Sequence, residues 1–286
     1  MSSRAPYLVV LVLVLLASGV WYWFSYSRMS SEPVVMTKAP SPPPPVEQPP
    51  AVRYPVTPPA PPPPVAPAEQ APANEPVALP APPPPPALPA LDASDAELRD
   101  RLGHAADAGL LDRLFIPDQW IRRFVVTVDN LWTPKLPGRY LATRPLPDRF
   151  AVDGGDDAPT IGAANAQRYA PFVRLVESVD GPALVAVYRQ FYPLFQAAFD
   201  DLGYPGVYFN DRLVDVIDLL LATPEIDLPI RLVRPRVLYQ YADPALESLP
   251  SGQKLLIRMG PDNARRIKGK LRELRAALTG ASSDHR

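Results

Sequence analysis

Between Pro33 and Leu91, 25 of 59 residues are proline. Proline fixes φ near −65° (about) and removes the backbone donor, so neither a helix interior nor a sheet ladder can be built here. The densest runs are Pro42–Pro45, Pro61–Pro64 and Pro82–Pro86. Large apolar side chains are too sparse between them to form a core. The stretch reads as a disordered, semi-stiff spacer that at ~3.1 Å per residue would reach roughly 180 Å fully extended. Repeated PxxP spacing also makes it a possible ligand for proline-binding modules. Spacer action needs no such partner, and reader modules of that kind belong to a different cellular setting. The chain therefore divides into residues 1–28, the linker 29–91, and a folding unit over 92–286.

Ahead of the spacer, Tyr7 to Phe24 reads YLVVLVLVLLASGVWYWF, without a charge or a proline. Eighteen residues make a helix of about 27 Å, close to a ~30 Å hydrocarbon core. Trp21, Tyr22, Trp23, Phe24 and Tyr26 crowd one end, where aromatic rings favour the headgroup zone. The expectation is a single-pass signal-anchor. A cleavable signal peptide is the competing reading, with Ala17-Ser18-Gly19 offering small residues at a cut site. A buried helix of a soluble core is the third, and it has only linker beside it. Arg4 stands on one side and Arg28, Glu32 and Lys38 on the other, which nearly balances the positive-inside count. Long domains translocate largely regardless of charge. The expected placement is therefore the inner membrane, with a cytoplasmic N-terminus and the bulk of the chain in the periplasm.

The chain has no cysteine and a net charge of −1, which excludes disulfides and thiolate metal sites and gives no global attraction to nucleic acid. After Leu91 the composition becomes that of a folded domain, about 195 residues with enough patterned apolar surface for one core. Ser94 with Glu97 three residues on forms a capping-box pattern, and Gly109 offers a stop. LLDRLF then leads as a short turn to Pro117. Trp120, Phe124, Val128 and Leu131 fall on one helical stripe, with Arg122 and Arg123 off it. Thr133 to Gly162, rich in proline and glycine, reads as a long loop with a short strand around Arg149 to Val152. Helices are expected over Ala163–Glu177, from Pro182 to Gly203 through Pro193, from an Asn210 cap to Ala222, over Ser251–Met259, and from Pro261 onward. Ile230 to Tyr241 alternates as one strand with a break near Pro235. The fold class is mainly α with minor β.

Few residues carry chemistry. His104 and His285 lie far apart, and no HExxH, GxSxG, P-loop or GxGxxG is present, so no cofactor is implied. Asp153, Asp156 and Asp157 sit in a glycine-rich loop, where clustered carboxylates could hold a hard cation. The spacing and closing Glu of a calcium loop are missing, which favours a solvated loop. Asp211, Asp215 and Asp218 share one helix face, and paired carboxylates could serve glycan hydrolysis. A wet acidic face favoured by the helix dipole is the plainer account.

Charge is split along the domain. Asp92 to Ile230 has 13 Lys/Arg against 21 Asp/Glu, whereas Arg231 to Arg286 has 12 against 5. Arg265, Arg266, Lys268, Lys270 and Arg272 could meet an anionic envelope polymer or lipid. Alternatively the basic end folds against the acidic part, and the near-cancelling totals favour that.

The blocks WIRRFVVTVDNL, LGYPGVYFNDRLVDVIDLLLATPE and RLVRPRVLYQYADPALESLPSGQKLLIRMGPDNARRIKGKLRELRAAL occur in order. Together they resemble a bacterial family of unknown function, DUF3014, over about Leu91 to Leu278. The resemblance implies one N-terminal membrane helix and a proline-rich spacer, and no assigned activity, cofactor or catalytic residue. With no visible reaction machinery, the expected role is a membrane-tethered periplasmic binding or scaffolding module of the cell envelope. Its partner would be an envelope protein or anionic polymer. A carboxylate-dependent envelope hydrolase and a TonB-like energy transducer are the alternatives. The latter would call for polar groups within the membrane helix, where Ser18 is nearly alone.

Overall fold

The computed structural model describes residues 52–56, 88–155, 157–204 and 206–279. The anchor expected over Tyr7–Phe24 and most of the proline-rich stretch lie outside the described residues. Among the described residues no helix is long and apolar enough to cross a membrane.

The domain is mainly helical. In chain order its helices are α1 (Asp95–Ala105), α2 (Ala108–Leu114), α3 (Trp120–Asn130), α4 (Ala164–Ser178), α5 (Gly181–Asp200), α6 (Phe209–Leu221), α7 (Pro244–Glu247), α8 (Ser251–Arg258) and α9 (Pro261–Thr279). Two ribbons complete it. Strands β1 (Val152–Asp153) and β2 (Thr160–Ile161) pair antiparallel, as do β3 (Leu232–Val233) and β4 (Gln240–Tyr241). A single bridge between Thr160 and Arg231 ties one ribbon to the other.

The main core lies where α5 packs on α1 and α3, and where α6 packs on α3, α8 and α9. Its centre is aromatic. Phe195 stands edge-on to Phe124 with ring centroids 5.4 Å apart and stacks parallel to Phe209 at 6.0 Å. Of the stripe read from the sequence along α3 and its end, Phe124, Val128 and Leu131 are buried and Trp120 is half-buried; α4 buries Tyr169, Phe172, Val173 and Val176, and α9 buries Ile267, Leu271, Leu274 and Leu278. A smaller cluster of Ile230, Leu232, Tyr241 and Ile257 sits beneath the ribbons.

The end of α3 meets the start of α8. Ser251 and Gly252 donate their backbone N–H groups to the Thr133 and Leu131 carbonyls at 2.8 and 3.1 Å. Unpaired donors of one helix start thus satisfy unpaired acceptors beyond another helix end. A Cβ on Gly252 would approach Leu220 Cδ2 to 2.8 Å and Leu131 Cβ to 3.3 Å, so any larger residue there would have to displace the Leu220 side chain where α8 meets α6.

Several local readings change. Ser94 stands at the N-cap of α1, but its hydroxyl donates back to the Leu91 carbonyl at 2.7 Å, so the capping box is not formed. Gly109 does not stop that helix. The chain turns at Ala106 and Asp107, whose carboxylate accepts from Leu110 N–H at 2.9 Å and starts α2 where a turn was expected. The single strand over Ile230 to Tyr241 is two short strands of a hairpin, because Arg234 to Tyr239 turn back around Pro235. The short strand expected over Arg149 to Val152 is present as β1 only from Val152, and it ends at Asp153.

Replacing Phe195 by Ala empties the centre of the aromatic cluster and should cost about 3–5 kcal/mol. Denaturant unfolding of the purified protein measures it. A change under about 1 kcal/mol would place the core elsewhere.

Candidate functional site

Helix α6 has a dry face and an acidic face. Leu213, Val214, Val216, Ile217 and Leu220 are buried against α3, α8 and α9. Asp211, Asp215 and Asp218, at i, i+4 and i+7, share the opposite face. Its N-terminus is held from a distance. Gln196 of α5 accepts the Phe209 N–H at 2.9 Å through Oε1 and donates to the Val207 carbonyl at 2.8 Å. Burial pushes the Tyr192 hydroxyl up to about 12, so it stays protonated and donates to the same Oε1 at 3.0 Å. Asn210, expected to cap this helix, lies inside its first turn, and Tyr208 occupies the cap position.

Relieved of capping, the Asn210 side chain serves another purpose. The buried Tyr188 hydroxyl bonds its Oδ1 at 3.0 Å, which turns Nδ2 outward. That group donates to the carbonyl of Tyr54, a residue of the proline-rich stretch, at 2.9 Å. The spacer is therefore not a bare spacer throughout: Val52 to Val56 lie on the domain. Asp211 accepts the backbone N–H groups of both Arg53 and Tyr54, at 3.0 and 2.8 Å, one on each oxygen. Consecutive N–H groups of an extended strand point to opposite sides. Here they converge because the chain bends at Arg53 and Tyr54. The bend makes a small cationic concavity, and the carboxylate fills it.

The Arg53 guanidinium reaches one turn further along α6. It forks onto Asp215, Nη1 to Oδ1 at 2.9 Å and Nη2 to Oδ2 at 2.6 Å. That bond, against a smaller effect of burial, raises the Arg53 guanidinium above its ordinary value. Asp218 is held by Arg275 of α9, Nε to Oδ1 at 2.5 Å and Nη2 to Oδ2 at 3.0 Å. The Asp218 bond, against a smaller effect of burial, raises the Arg275 guanidinium above its ordinary value. The Tyr54 and Val56 side chains rest on the main core. All three carboxylates offered for hydrolysis are thus engaged, two of them by the linker segment.

A signal for this segment existed in the sequence. Between Pro33 and Leu91, Arg53 is the only arginine and Tyr54 the only aromatic residue, and they are adjacent. A spacer has no use for either.

The other sequence candidates fall elsewhere. Asp153 accepts the Ala163 N–H at 3.1 Å ahead of α4, Asp157 is exposed, and Asp156 lies outside the described residues. Among the described residues no group of three or more acidic or histidine side chains is placed to hold a metal. The basic end is largely paired within the domain. Arg266 forks onto Glu177 of α4, Arg265 bonds Asp262 at 3.1 Å, and Lys270 bonds Glu273 at 3.0 Å. Lys268 is buried and donates to the Thr223 carbonyl just past α6, a favourable place for a cation. Arg272 is exposed. A second cleft of about 260 Å³ lies between α1, α2 and Trp120. There Asp95 takes the N–H groups of Gln119 and Trp120, each at 2.8 Å, the same bridging of consecutive donors seen at Asp211.

The sequence profile of a family described as protein of unknown function (DUF3014) matches residues 120–275, more than half of the chain. The chain belongs to that family. No curated protein and no solved structure matches it. The matched region contains Asn210, Asp211, Asp215, Asp218 and Arg275, but not the segment they hold.

Hydrogen bonds to a charged acceptor contribute about 1.5–3 kcal/mol each. Replacing Asp211 by Ala should therefore speed amide exchange at Arg53 and Tyr54 by roughly 10–100-fold while α5 amides keep their rates. Unchanged exchange at both positions would contradict the docked geometry.

Proposed function

We propose that this protein is a membrane-tethered binding or scaffolding module of the bacterial cell envelope, with its helical domain displayed in the periplasm. The observation that carries the binding reading is the acidic face of α6, whose Asn210, Asp211 and Asp215 hold a peptide segment through its backbone and one side chain. The described side-chain partners of Asp211 all come from that segment. A buried carboxylate without partners is costly, so this face suits a ligand that brings N–H donors and a cation.

The tether follows from the apolar stretch Tyr7–Phe24, which has the length and the aromatic border of a membrane helix. The proline-rich stretch gives the domain reach, and tethering raises its effective concentration for any partner within that reach. Absence of nucleophile and metal motifs supports binding over catalysis.

A reporter that becomes active only after export, fused at the C-terminus, should be active in cells and remain in the membrane fraction. Activity confined to a cytoplasm-specific reporter, or a freely soluble fusion, would overturn the placement.

A further inference from the structure

We propose that the cleft formed by the acidic face of α6 and Arg275 of α9 is a peptide-binding site for a bent segment reading arginine, aromatic, proline. In this proposal Val52–Val56 fills the site as an internal placeholder that a partner protein's segment displaces. The proposal deepens the binding reading above and rests on it.

Each position of the segment meets a distinct recognition element. The arginine forks onto Asp215, a geometry that lysine cannot reproduce. The following residue carries most of the binding groups. Its N–H, with that of the arginine, goes to Asp211, its carbonyl takes the Asn210 amide, and its ring rests on the core. Arg275 of α9, which forks onto Asp218, closes the far end of the acidic face. Pro55 is exposed and fits for what it lacks. It has no N–H to leave unpaired, and it restricts the residue before it, which lowers the ordering cost of the bound shape.

The cleft is built rather than incidental. Asp211 is only 7 % exposed beneath the segment, and Asn210 is fully buried with its orientation set by Tyr188. Gln196 and Tyr192 supply the helix start from behind, which leaves Asn210 available to the peptide.

The arginine, by contrast, is lightly held. Its side chain is 53 % exposed, and exposed ion pairs contribute only about 0.2–1 kcal/mol. Only 31 residues separate Val56 from Leu88, and attachment of that kind supplies a local concentration in the ~mM range. A weak sequence can therefore hold the cleft in its own chain and still yield to a partner whose segment makes further contacts.

The test uses the full chain in detergent and a fluorescent peptide carrying residues 50–58, PAVRYPVTP. An Arg53→Ala/Tyr54→Pro variant, which removes the fork, the ring and one of the two N–H donors on Asp211 while keeping residues 92–286 unchanged, should bind the peptide at least ~10-fold more tightly than wild type, because the segment loses its hold on the cleft. Adding Asp211→Asn should weaken that binding by about 10-fold, and a scrambled peptide should not compete. Equal affinity of wild type and the double variant would overturn the placeholder and leave the binding reading standing. No binding by either, or equal binding of the scrambled peptide, would overturn the site and that reading's main support. A concentration-dependent dimer of the wild type that Arg53→Ala abolishes would assign the cleft to a second copy and overturn the partner. The export reporter is independent of all these outcomes.

Discussion

The structure turns on one carboxylate and the two successive backbone donors it holds. Asp211 sits at the start of α6, where the helix leaves the aromatic core and its acidic side begins. Its two oxygens draw a bend of the proline-rich stretch onto the domain. The same device recurs at Asp95, whose oxygens take the Gln119 and Trp120 donors ahead of α3. In the second case the bend is part of the fold. In the first it belongs to a segment more than 150 residues away along the chain. Chemistry that elsewhere closes a helix start here joins two regions with opposite folding tendencies.

Much of the fold was legible because helical periodicity is a local property. Phe124, Val128 and Leu131, or Ile267, Leu271 and Leu274, declare a buried face wherever the rest of the chain goes. The failures are equally informative. Asn210 looked like a cap, and the real acceptor for that helix start is Gln196, a residue on another helix. No local pattern can announce a cap supplied through space. The hairpin of β3 and β4 looks like one strand in the sequence because alternation continues on both sides of the turn, and only the pairing of Leu232 with Tyr241 shows the reversal.

The charge split had a plain structural outcome. Arg266 on Glu177 and Arg275 on Asp218 bind the basic last helix to α4 and to the acidic face of α6, so part of the apparent surface for anionic polymers is internal glue. The acidic triad had the opposite fate. Spacing placed its members on one face, and the structure keeps them there, but their partners are arginines and backbone donors. What the sequence could not reveal was that one of those arginines stands in the spacer, because composition alone gave that stretch no reason to touch anything. Arg53 and Tyr54 were the exception within it, two interaction-capable residues side by side among prolines.

Residues 52–56 rest on the acidic face of α6. The chain has no cysteine, so two spin labels can be placed without background. With labels at Val52→Cys and at the exposed Arg272→Cys, pulsed dipolar spectroscopy on the full chain reads the distance from the segment to α9. One narrow, short distance population is expected, which broadens and lengthens when Asp211 is replaced by Ala. A broad, long distribution already present with Asp211 intact would contradict it.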